Sequence, residues 1–100
     1  MLQEIFRLSR LDPKTLQERT LKLSEEAGEV AQAVLSATGA PGSAYKGLTL
    51  EDVREEAVDA AIVALAILAQ ACPDEETFHA EWQRLVSGKC AKWLGSLPQE

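Results

Sequence analysis

The chain has 100 residues, 46% of them hydrophobic, with ten basic and sixteen acidic side chains and a net charge of −6. That length makes one domain, residues 1–100, with a modest core, and an acidic chain with no Lys/Arg cluster is excluded from direct binding along a nucleic-acid backbone. The longest charge-free apolar stretch, AAIVALAILA at residues 60–69, falls well short of the roughly 20 residues a membrane span requires, and Cys72 and Cys90, without CxxC spacing or a secretory signal ahead of them, are expected as reduced thiols of a cytoplasmic protein.

In chain order, the spacing predicts a short helix near residues 2–9. Asp12 as N-cap with Pro13 at the first helical position then starts a long helix over 13–37, which Gly39 and Pro41 close. The connection GAPGSAYKGL, residues 39–48, is long for a helical bundle and rich in Gly, Pro and Ser, so it is either a lid over a site or a variable loop. Thr49 with Asp52 forms a capping box at the head of a second long helix, 50–71, which ends before Pro73. Asp74 opens a last helix near 75–95. No segment alternates like a strand, and the fold class is all-α, an antiparallel bundle of about four helices.

The first long helix carries LSEEAGEV at residues 23–30. Glu25 and Glu29 are four apart, Glu26 and Glu29 three apart, and each like-charged pair destabilises a helix by roughly 0.2–0.5 kcal/mol. Gly28 adds about 1 kcal/mol of lost helix propensity; close approach of another backbone, as across a dimer, or a tolerated helix glycine accounts for it.

At 100° per residue, Leu16, Leu23, Ala27, Val30 and Val34 form one apolar stripe, expected to face the core. Measured from Leu23, Glu26 lies about 60° to one side and Glu29 about 120°. In the second long helix Val53, Ala57, Ala60 and Ala64 form the corresponding stripe, and Glu56 and Asp59 fall at the same two offsets from Val53. If the two helices are neighbours, four carboxylates converge at the edge of their interface. Without Glu25, Glu26, Glu29, Glu55, Glu56 and Asp59, ten acids balance ten bases, so the excess charge resides in these patches. Lys22 and Arg54 are the only bases within a turn. A bound cation resolves the conflict, and hard oxygen ligands without histidine or thiolate suit Mg²⁺ or Mn²⁺; the alternative is a solvated acidic face.

Glu26xxGlu29 followed after 26 intervening residues by Glu56xxAsp59 resembles the ExxE and ExxD pattern of the MazG-like, all-α nucleoside triphosphate pyrophosphohydrolases. KLSEEAGEVAQAV and REEAVDAAIVALAIL are similar to that superfamily's two signature helices, and the likeness covers roughly residues 16–70. The resemblance implies Mg²⁺-dependent hydrolysis of a nucleoside triphosphate between the α and β phosphorus atoms, giving a monophosphate and pyrophosphate, with Glu26, Glu29, Glu56 and Asp59 as metal ligands. Glu25 is then the candidate for polarising the attacking water. The resemblance also implies a homodimer, or a tetramer built from dimers. An apolar helix segment at 60–69 that must be covered all round points the same way.

Lys22, Lys46, Lys89 and Lys92 are candidate phosphate contacts, with solvated lysine as the ordinary alternative. Trp82 and Trp93, eleven apart and about 20° different in direction, are expected on one buried face, with base stacking by one of them as the functional alternative. Glu76 and His79 have the spacing of a di-iron ligand pair, but one histidine in the whole chain makes His79 a surface or interface residue. A reading from another class stands beside the enzyme: a catalytically silent helical dimer that serves as a nucleotide-binding or regulatory module.

Overall fold

Reciprocal caps and prolines cut the chain into four α-helices, seen in a computed structural model that describes residues 1–98. They are α1 (Leu2–Leu11), α2 (Leu16–Ala37), α3 (Leu50–Gln70) and α4 (Glu75–Ser96), with a 3-10 turn, Ala44–Lys46, between α2 and α3. No strand occurs among the described residues. The all-α class and the four helices are as the spacing predicts.

One boundary differs from expectation. Helix α2 begins at Leu16, with Thr15 as its N-cap in place of Asp12. Thr15 Oγ1 accepts from the Glu18 backbone N–H at 3.1 Å, and Glu18 Oε1 accepts from the Thr15 N–H at 2.8 Å. Asp12 cannot form this reciprocal pair, because the residue three places on is Thr15, too short to reach back. Asp12 instead ends α1 in an extended conformation, as the residue before a proline favours. The Thr49–Asp52 capping box and the Asp74 cap, which accepts from the Thr77 N–H, are found where the sequence puts them. Helix α2 closes at Gly39, whose φ is +75°. Gly39 N–H donates to Ser36 O and Ala40 N–H to Leu35 O, the paired bonds of a Schellman ending, which favour glycine at the left-handed position.

Helices α2 and α3 pack against each other along their length, α1 lies on α3, and α4 meets only α1 and α3. The buried centre gathers at the α1–α3–α4 junction, where Ala69, Cys72 and Phe78 are covered by Leu2, Phe6 and Leu68. Phe6 and Phe78 rings stand 5.8 Å apart. Arg10 lies over the Phe6 ring, 4.4 Å from its centroid. Its guanidinium donates to Ala69 O and Cys72 O, tying α1 to the chain at the end of α3.

The expected apolar stripe of α2 is not what this chain buries. Leu16, Ala27 and Val34 are exposed and Leu23 and Val30 only half-buried, whereas Arg19, Glu26, Ala33 and Ser36 are buried. Arg19, Glu26 and Ala33 recur every seven residues, so they share one direction, about 60° from the stripe's centre. Contact with α3 is made on that flank, and among the described residues the outer edge of the stripe, at Leu16, Ala27 and Val34, stays exposed. The two tryptophans also part company: Trp82 is half-buried, but Trp93 is 68% exposed, because no element packs on the far half of α4. His79 is half-buried, with Nε2 3.4 Å from Glu75 Oε2. Both cysteines are free thiols. Among the described residues no helix is long and apolar enough to cross a membrane.

Candidate metal centre

The pairing of α2 with α3 brings Glu26, Glu29 and Glu56 together, with one carboxylate oxygen of each lying within 4.8 Å of the others. Each acid comes from a helix interior, so its Cβ position is fixed by the backbone hydrogen-bond ladder. Glu26 is only 6% exposed. Glu26 Oε2 and Glu56 Oε2 are both buried without a hydrogen-bond partner, a condition that native interiors rarely leave uncompensated.

Electrostatics within the cluster is repulsive. The Glu29 carboxyl is raised above its ordinary range, first by hydrogen bonding to the neighbouring Glu56 carboxyl, then by desolvation and by the charges of Glu56 and Glu25. Two carboxyls this close hold a proton more readily than either would alone. One cation answers from within the chain: Lys22 Nζ lies 3.2 Å from Glu26 Oε1 and 3.4 Å from Glu25 Oε1. Those two acids raise the Lys22 ammonium above its ordinary value, first through hydrogen bonding to Glu26, then to Glu25, and through their charges. The second oxygen of Glu26 remains without a partner.

Asp59 is not in the cluster. It is exposed and lines a shallow hollow with Arg54, Glu55 and Val58, so the four-carboxylate set expected from spacing is three here. Helical arithmetic gives Glu29 and Asp59 equal offsets around their axes, but it does not fix their levels along the contact line. Glu25 stays on the exposed side of α2, engaged by Lys22. Lys46 sits on the 3-10 turn, with Nζ 6.0 Å from the Tyr45 ring centroid. Lys89, Lys92 and Trp82 belong to α4, which does not touch α2, so one chain does not assemble them around the carboxylates.

No family model, curated protein or solved structure matches the chain.

The donor set nevertheless narrows the chemistry. Three carboxylates with two orphaned oxygens and no nitrogen or sulfur ligand fit a hard divalent cation such as Mg²⁺ or Mn²⁺. Sequence reasoning missed Arg19, which is 5% exposed. Its Nη2 donates to Ser9 O at 3.0 Å and Asp12 O at 3.2 Å, tying the end of α1 to α2. The signal was available in the seven-residue interval from Arg19 to Glu26, which gives them nearly the same direction.

Proposed function

We propose that the chain is a Mg²⁺-dependent nucleotide pyrophosphohydrolase, cleaving a nucleoside triphosphate between the α and β phosphates. One observation carries the reading: three glutamates from two helices converge with two buried oxygens unpartnered. Glu26, Glu29 and Glu56 would hold the ion, and Asp59, one turn beyond Glu56, is a further ligand if its side chain swings in. A bound divalent ion would neutralise the carboxylates and supply charge stabilisation for phosphate oxygens that an acidic protein otherwise repels.

The chain's own residues then divide the remaining work. Glu25 lies next to Glu26 on the solvent side of α2, where it can accept a proton from an attacking water. Lys22 holds Glu25 and Glu26 in the metal-free chain. Its ammonium is the nearest protein cation that could turn to a phosphate once Glu26 is neutralised. The spacing of the motif acids, and with it the resemblance to MazG-like pyrophosphohydrolases, supports the same reaction class.

A pyrophosphate-release assay over common, deoxy and modified triphosphates, with and without Mg²⁺, tests the proposal. Turnover is expected only with the divalent ion, and Glu26→Gln should abolish it. An inactive wild-type chain across the whole panel overturns the enzyme in favour of a nucleotide-binding or regulatory module.

A further inference from the structure

Helix α4 carries one apolar arc along its length, and only the first half of it is covered. Phe78 is buried and Trp82 and Val86 are half-buried, whereas Cys90, Trp93 and Leu94 are exposed. Measured from Trp93 at 100° per residue, Lys89 and Lys92 lie about 40° and 100° to one side, and Cys90 and Leu94 about 60° and 100° to the other. From Trp82 on, the chain holds Arg84, Lys89 and Lys92 and no acid before Glu100, whereas residues 1–81 hold seven bases and fifteen acids. A basic, apolar arm thus extends from an acidic body.

The complementary surface is the first half of α3. Val58 is exposed there, and measured from it Glu55 and Asp59 lie about 60° and 100° to one side, Arg54 and Ala61 about 40° and 60° to the other. All four of these neighbours are exposed. Within the chain α4 packs where α3 ends, at Leu68, Ala69 and Cys72, which leaves this face uncovered. Among the described residues Lys89, Lys92, Glu55 and Asp59 form no ion pair. Because the lysines and the acids are offset in opposite senses, they meet on one side when the two helices run parallel. We propose that the far half of α4 docks parallel on the first half of α3 of a second copy, with Trp93 resting on Val58. Lys89 then stands level with Glu55, Lys92 faces Asp59, Leu94 lies toward Ala61, and Cys90 is opposite Arg54. An anionic bilayer would suit the arm but repel the body that carries it. A contact of two half-helices is small for a stable interface; since every copy has both surfaces, a two-fold axis makes it twice and closes the assembly. Nothing in this contact depends on the metal or on nucleotide hydrolysis.

Disulfide trapping in the full chain tests the register, because Cys90 is a free, exposed thiol. Arg54→Cys places a second thiol opposite it. Mild oxidation should join Cys90 of one copy to position 54 of another, as shown by a non-reducing gel and peptide mass. The reaction should be about tenfold or more faster than with Leu21→Cys, an exposed position off the face. Adding Lys89→Glu and Lys92→Glu should slow the cross-link by about tenfold or more, since like charges then meet. Adding Glu55→Lys and Asp59→Lys to that same chain should restore it, which a folding defect would not allow. A cross-link no faster than at Leu21→Cys overturns the docking. A rate unmoved by charge reversal, or lost and not restored by the exchange, overturns the pairing of lysines with acids. Cosedimentation with phosphatidylserine vesicles in a chain that forms no cross-link between positions 54 and 90 overturns the second copy in favour of a lipid surface.

Discussion

Glu29 is the side chain at which the cost of the cluster can be measured directly. Its carboxyl is raised in the folded chain from an ordinary value of 4.5. Between that value and the raised one, the folded chain keeps a proton that the unfolded chain has lost. Stability in that window therefore falls as pH rises. The favourable contribution is fully present below 4.5 and gone above the raised value. In EDTA, thermal melts across the acid-to-neutral range should show this decline in the wild type, and Glu29→Gln should lack it, melting higher than the wild type at neutral pH. Addition of Mg²⁺ should reverse the order, stabilising only the chain with Glu29. An ion at a hundred times its dissociation constant contributes about 2.7 kcal/mol. Because ligands must be deprotonated, that gain should grow with pH. Wild-type melts that superimpose with and without Mg²⁺ would remove the metal from the proposal. The sequence made Glu26, Glu29 and Glu56 legible because direction around a helix is simple arithmetic. It placed Asp59 with them because arithmetic on each helix alone leaves their relative level open.

At the scale of elements, caps decide where helices begin, and α2 offers a clean comparison. Thr15→Ala removes an acceptor from the Glu18 N–H and breaks the reciprocal box, so urea unfolding should show a loss of about 1 kcal/mol. Asp12→Ala should cost no more than about 0.5 kcal/mol, since the Asp12 carboxylate accepts a 3.3 Å bond from the Lys14 N–H and makes an exposed 4.0 Å ion pair with Lys14 Nζ, a surface contact of little weight. Equal losses at the two positions would restore Asp12 as the cap. Four helices and two of their three caps were readable because such signals are local. The misplaced start of α2 arose from Pro13, which suits a first helical turn but here occupies the link before it. Gly28 was read as a close approach or a tolerated glycine, and a Cβ built there meets nothing within 4 Å. Gly28→Ala should accordingly stabilise a single chain by about 1 kcal/mol, measured by the same denaturation. A loss instead would indicate a backbone approach from outside the chain. The buried flank of α2 was the least legible feature, because burial of Glu26 depends on where α3 crosses, a long-range fact that periodicity does not hold.

The whole molecule is more open than its length requires. Its radius of gyration is 16.4 Å, against about 13 Å for a compact chain of 100 residues. Large apolar side chains remain at the surface, with Trp93 68% and Leu94 65% exposed. More telling is the face of the α2–α3 pair. On neighbouring antiparallel helices, equal angular offsets from the contact line fall on the same side of the pair. Leu16, Ala27 and Val34 of α2 therefore share a face with Ala57 and Ala64 of α3, and all five are exposed. Two helices bearing such a face are half of a four-helix core, and a second copy presents the matching half. Sedimentation at micromolar concentration should accordingly give a dimer or a multiple of it, with a melting temperature that rises with concentration. Val34→Glu places a charge on the shared face and should shift the chain toward monomer. Leu21→Glu, at a residue 72% exposed and outside the stripe, should leave association unchanged. A wild-type monomer at these concentrations would mean that the chain tolerates its open face unaided, and the exposed stripe would then need another partner to account for it.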